Sequence, residues 1–252
     1  MESIMPLELV LVMPAYNEQG CIETVVNQWG NYLQNTIGHQ FKILVINDGS
    51  KDNTKSILDT LQQKTNYLIV VHKENAGHGA ALYHGYKMAI NLNPQWIFQV
   101  DSDNQFIAQD FSLLWQTRDK SRFILGFRKH RHDDWVRLLI TKTMRLCIYI
   151  FFGVWVEDAN VPFRLMKTNF LAEVMKVLPV GLFAPNVFLT IIGAKMGYPL
   201  FFIPVTHQER KTGTVSIFRW KLFKVCFRSF IELILFRWHL SGAIRYLKNK
   251  GY

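Results

Sequence analysis

The sequence predicts an α/β fold with a mostly parallel sheet flanked by helices. Three observations carry this. Short apolar runs alternate with segments of helical periodicity through the first hundred residues. The runs lack the in–out alternation of a half-solvated strand, as expected where helices cover both faces of a parallel sheet. A polar, glycine- or acid-bearing loop follows strand after strand, at the carboxyl end where open sheets of this kind hold ligands.

Residues 7–13 form the first strand, closed by Pro14 and a loop to Gly20, and a helix follows over 21–33. Residues 41–46 are the second strand, ending in Asn47–Asp48–Gly49–Ser50, with a helix over 52–63 that Asp52 or Asn53 can cap. The third strand spans 68–71, and the loop Asn75–Gly79 opens a helix that runs to about residue 90. The fourth spans 96–100 and leads directly into Asp101–Ser102–Asp103. This alternation specifies βαβ units with right-handed crossovers. Further on, 123–127, 161–166 and 199–205 read as strands, and 135–156 and 186–196 as helices.

The chain has 252 residues, 49% of them hydrophobic and 19% charged, which excludes global disorder and allows a sizeable core. Cys21, Cys147 and Cys226 are scattered and form no CxxC pair, so neither a disulfide framework nor a zinc site is expected. The net charge of +10 concentrates in 118–145 and 208–245, beside very apolar sequence. With no basic–aromatic recognition motif, specific nucleic-acid binding is not expected, and the pattern points to a membrane surface. The run 146–156 is too short to span a bilayer, and 177–194 is interrupted by Pro179, Pro185 and two glycines, so no spanning helix is expected. The first residues lack the basic start of a signal peptide, which makes the expected location cytoplasmic, peripheral on the cytoplasmic face of a membrane.

Residues 216–252 form an expected helical extension after a main domain over 1–215. Lys221, Lys224, Arg228 and Glu232 share one helical face, and apolar residues fill most of the remainder, with Trp220 and Trp238 as amphipathic aromatics. Such a helix lies in a membrane interface or packs on the domain; the sequence leaves both open.

Four loops carry candidate chemistry. Asp101 and Asp103, two positions apart at the mouth of a sheet, form a hard oxygen site suited to Mg²⁺ or Mn²⁺ bound to donor phosphates. Asp48 can accept hydrogen bonds from a ribose or base. In Pro14–Ala15–Tyr16–Asn17–Glu18, Tyr16 can lie against a base and Glu18 can hold a polar edge. Asn75–Ala76–Gly77–His78–Gly79 can bring backbone to a phosphate ahead of a helix N-terminus. Each loop is also an ordinary turn or cap when read alone, and neither the GxGxxG nor the GxxxxGK[ST] spacing is present.

Taken in order, PAYNE, VINDGSKDNT, ENAGHGAALYHG and the DSD after a strand resemble glycosyltransferase family two, closely over residues 7–105. The chain looks most like the polyprenyl- or dolichyl-phosphate mannose or glucose synthase branch. The resemblance implies a GT-A fold and an inverting, metal-dependent transfer. A hexose would pass from a nucleotide diphosphate sugar of the GDP-mannose or UDP-glucose type to a polyprenyl or dolichyl phosphate. Gln105 matches the branch's DxDxQ pattern and is implied as a further metal or phosphate ligand beside Asp101 and Asp103. Gly126–Phe127–Arg128, the segment 157–164 and the segment 207–216 resemble further motifs of the branch. They imply that Arg128, Arg164 and Arg210 face phosphates and that Asp158 orients an arginine or acts as a base. The donor site is then Pro14, Tyr16, Glu18, Asp48, Gly77, Asp101 and Ser102, and the catalytic set Asp103, Arg128, Asp158, Arg164 and Arg210. The chain departs from the branch at Phe127, at Val161–Pro162 and at Asn186, where an acid is expected. A saccharide hydroxyl acceptor in cell-surface polysaccharide synthesis and a catalytically silent GT-A scaffold are the alternatives.

Overall fold

The structure is a computed structural model that describes residues 6–128, 135–209, 228–240 and 242, with backbone only at 135–139. Strands β1 (Leu9–Ala15), β2 (Phe41–Asp48) and β3 (Leu68–Lys73) alternate with helices α1 (Ile22–Ile37), α2 (Thr54–Lys64) and α3 (His78–Asn91) before β4 (Trp96–Val100). Every residue of β1 and β4 is buried, which is why these strands read as unbroken apolar runs. β2 and β4 pair in parallel on either side of β1, and β3 pairs beyond β2.

The second half holds α4 (Phe111–Gln116), β5 (Phe123–Arg128), α5 (Trp135–Phe152), β6 (Phe163–Lys167), α6 (Thr168–Val177), α7 (Pro185–Lys195) and β7 (Phe201–Val205). The seven strands form one sheet in the order β3-β2-β1-β4-β6-β5-β7. β6 is antiparallel to both its neighbours, β4 and β5, and β5 pairs with β7 in parallel. The sheet is therefore mostly parallel, as expected, with one inverted strand, β6, between β4 and β5. Because β6 runs backwards, its start rather than its end reaches the edge where the other strands finish. α4 and α6 were not anticipated. In α6, Phe170, Leu171, Val174 and Val177 are buried at helical spacing, so the signal was present.

Residues 228–240 form a further helix, here α8. It packs Leu233, Phe236 and Leu240 onto the domain, and the Phe236 ring lies 4.9 Å from Phe188 and 6.0 Å from Phe152. Arg228 pairs with Glu232 at 2.9 Å and donates to the Gly181 carbonyl, while Glu232 accepts from the Phe183 amide. These two members of the expected charged face thus dock on the 181–183 loop. Lys221, Lys224 and Trp220 lie outside the described residues. No helix among the described residues is long and apolar enough to cross a membrane.

Candidate active site

The carboxyl ends of β4 and β5 and the approach to β6 meet in a polar cleft of about 130 Å³. Asp101, Asp103, Gln105 and Arg128 line it with His78, Asn160, Pro162, Asn186 and His207. The topology explains the convergence. β4 delivers the two aspartates, β5 ends on Arg128, and the inverted β6 brings Asn160 and Pro162 to the same edge.

Asp101 is fixed from behind by a chain of buried amides. The Tyr86 hydroxyl donates to Asn186 Oδ1 at 2.8 Å, and Asn186 Nδ2 donates to Gln99 Oε1 at 3.1 Å. Gln99 Nε2 then donates to Asp101 Oδ1, also at 3.1 Å. Each amide spends its carbonyl on one neighbour and its NH₂ on the next, so the chain has a single polarity and ends by donating to Asp101. An acid in place of Asn186 has no N–H to give Gln99, which accounts for the asparagine where the resembled branch leads one to expect a carboxylate. Burial raises the Asp101 carboxyl above its ordinary value, opposed by the charges of His78, Arg128 and Arg164. A quarter of its side chain still opens to the cleft, and His78 Nε2 lies 3.9 Å from Oδ1.

Asp103 Oδ1 accepts from the Gln105 backbone amide at 3.2 Å, which turns the loop back on itself. The Gln105 side chain donates to the Gln208 carbonyl at 3.1 Å, and Phe106 bridges to His207. Two carboxylates and an amide oxygen on one wall are hard donors that fit Mg²⁺ or Mn²⁺ completing its shell with phosphate and water. Among the described residues no three His, Cys, Asp or Glu side chains form a ready-made metal cage.

Arg128 and Asp158 form a compact pair, with Nε and an amino nitrogen of the guanidinium each 2.8 Å from Asp158 Oδ2. Arg164 is placed differently from the expectation that it faces phosphate. It is fully buried, and its guanidinium donates to the carbonyls of Ala159, Val161 and Asn186 and to Thr190. Every nitrogen is spent on protein, so Arg164 ties the 159–161 loop to the first turn of α7. Arg210 lies outside the described residues.

The donor-side residues divide in the same way. Asp48 is buried, and both its carboxylate oxygens have protein donors: Lys73 Nζ and the Ala76 amide on one, the Gly77 amide on the other. It clasps the 75–77 loop to the end of β2 instead of presenting an open edge. Ser102 is likewise turned inward, its hydroxyl donating to the Pro14 carbonyl at 2.8 Å. Tyr16 is exposed and Glu18 buried, with the Glu18 amide donating to Thr54 Oγ1. Gly77 has φ +92° with open space where a Cβ would stand, so its backbone is approachable ahead of α3. Sequence reasoning passed over Gln99, gave His78 no role, and named His207 only as the start of the segment 207–216. Gln99 is a polar residue inside an all-buried strand, and that contrast was the available signal.

Residues 10–175 match the family model described as glycosyl transferase family 2. The chain belongs to glycosyl transferase family 2. A dolichyl-phosphate N-acetylglucosaminyltransferase of Methanococcus voltae that uses UDP-N-acetylglucosamine is 25% identical over 240 residues, 85% of this chain and 93% of that protein. The polyprenol monophosphomannose synthase of Mycolicibacterium smegmatis is 24% identical over 214 residues, 81% of this chain and 78% of that protein. Among solved structures, glucosyl-3-phosphoglycerate synthase from Mycobacterium tuberculosis aligns with a TM-score of 0.66 at 18% identity, over 91% of this chain and 79% of that one. The latter likeness identifies the fold as GT-A-like. As a family 2 member the protein is a nucleotide-sugar glycosyltransferase, and the cleft at Asp101 and Asp103 is its candidate active site.

Proposed function

We propose that this glycosyltransferase moves a hexose, with inversion, from a GDP- or UDP-sugar to a polyprenyl or dolichyl phosphate at a membrane surface, and that it needs Mg²⁺ or Mn²⁺. The observation that carries the reading is the single cleft in which Asp101, Asp103 and Gln105 face Arg128. The M. voltae relative, named for dolichyl phosphate as its acceptor, and the M. smegmatis relative, named for a polyprenol monophosphomannose product, support the acceptor class.

Asp101, Asp103 and Gln105 would hold the divalent ion, which supplies Lewis-acid stabilisation of the departing diphosphate. Arg128 presents its guanidinium to the cleft, oriented by Asp158, and suits a phosphate oxygen. A phosphate acceptor is anionic at neutral pH, so it attacks the anomeric carbon without a strong base. The anomeric carbon–oxygen bond to the diphosphate breaks as the new one forms. Rate enhancement then rests on positioning and charge stabilisation. The engagement of Asp158 with Arg128 favours this over a hydroxyl acceptor, which needs a free base.

The test is nucleotide release from a panel of UDP- and GDP-sugars with Mn²⁺ or Mg²⁺, with and without a short-chain polyprenyl phosphate. Lipid-dependent release is expected, and Asp103→Ala should lower it at least about a hundredfold with the fold intact by circular dichroism. Release indifferent to the lipid would remove the acceptor assignment, and no turnover of any donor would remove the catalytic one.

A further inference from the structure

α8 is apolar on two opposite sides. Ser229, Leu233, Phe236 and Leu240 are buried against the domain, at steps of four, three and four that keep them on one helical face. Ile231, Ile234, Leu235 and Trp238 point the other way, with Leu235 64% and Trp238 80% exposed. Packing on the domain accounts for the first side and leaves the second unexplained. On α5, Ile148 and Phe152 are buried while Leu146, Tyr149 and Ile150 form an exposed stripe. The two helices touch through Phe151 and Phe230, whose rings lie 5.9 Å apart, so the two stripes lie on neighbouring helices.

Between the helices lies a cavity of about 320 Å³ lined by Ile150, Phe151, Gly153 and Leu240 together with Lys195 and Arg237. Among the described residues its lining holds no acid, and no carboxylate pairs with either cation. Lys195 also complements the carboxyl end of its own helix α7, and both cations line the cavity beside the carboxyl end of α5.

We infer that this face docks on a lipid bilayer, with the Lys195–Arg237 cavity receiving the phosphate of an anionic phospholipid headgroup. The inference rests on the membrane-surface part of the proposed function and on no particular donor or acceptor. The composition argues for a bilayer. Trp238, Tyr149 and Trp155 are exposed aromatics with polar handles, next to aliphatic residues that would enter the acyl boundary and cations placed to meet phosphates. A second copy seated symmetrically on the same face would crowd two Lys195 and two Arg237 side chains into one apolar interface, with no acid among the described lining residues to offset them.

Co-sedimentation with vesicles tests it, using phosphatidylcholine alone and phosphatidylcholine mixed with phosphatidylglycerol, neither containing polyprenyl phosphate. The full-length chain should bind the mixed vesicles more tightly. The double variant Lys195→Gln/Arg237→Gln should lose about thirtyfold on the mixed vesicles and little on the neutral ones. Leu235→Ser/Trp238→Ser should weaken both. Lys55→Gln/Lys64→Gln on α2, which removes the same charge beside β3, should change mixed-vesicle binding far less. Equal losses from the two charge pairs, or none from Lys195→Gln/Arg237→Gln, would overturn the headgroup site. Binding to neither vesicle type would overturn docking altogether, and gel filtration of Leu235→Ser/Trp238→Ser then tests for a second copy on this face. Thermal melts report folding of each variant without reference to catalysis, so failed docking and failed turnover remain separate results.

Discussion

Gln99 is fully buried in β4, with its amide spanning Asn186 and Asp101. Replacing it with leucine keeps the volume but strands an Asn186 N–H, at a cost of about 1–3 kcal/mol, and frees Asp101 to turn. Partners behind a metal ligand are typically worth about ten- to a hundredfold in metal affinity. Gln99→Leu should therefore raise the Mn²⁺ concentration for half-maximal turnover by at least about tenfold, with donor KM at saturating metal nearly unchanged. An unchanged metal titration would mean that the chain from Tyr86 is merely structural. Arg164 teaches the converse. Its place in an arginine-bearing motif suggested phosphate, but a guanidinium that finds four carbonyl and hydroxyl acceptors in the core is already satisfied. Sequence identifies the charged residue; only packing says which side of the strand it leaves.

At the scale of elements, the apolar runs of β1, β2 and β4 and their polar loops were legible because strands buried on both faces admit little else. The inversion of β6 was not. A short strand looks the same in either direction, and its neighbours are set by the long excursion through α5. The ambiguity over the C-terminal helix is narrowed by Phe236, which is 2% exposed between Phe152 and Phe188. If α8 belongs to the fold, Phe236→Ala should cost about 3–5 kcal/mol in urea unfolding, the usual loss for a buried phenylalanine. A change below about 0.5 kcal/mol, typical of surface positions, would mean that α8 contributes nothing to the folded domain in solution.

For the whole molecule, the cleft costs stability that function requires. Burial favours the protonated form of Asp101, so its folded pKa lies above the unfolded one. The stability this confers is complete below the unfolded value and drains away as pH rises through the folded one. Asp101→Asn removes the ionised state while keeping an acceptor for Gln99. In metal-free buffer the variant should melt above wild type at about pH 8, with the gap closing toward about pH 4, and turnover should fall at least about a hundredfold. A variant less stable than wild type at about pH 8 would contradict this account of the site. The balance between sequence and structure follows from the same physics. The sequence by itself determined the α/β class, the four βα loops and the pair Asp101 and Asp103, because strand burial, turn chemistry and a loop motif are local properties. Only the tertiary structure decided that β6 is inverted, that Arg164 and Asp48 serve the protein's own backbone, and that Gln99 and Asn186 stand behind Asp101. Those outcomes depend on which groups of distant segments are close enough to satisfy one another once water is excluded.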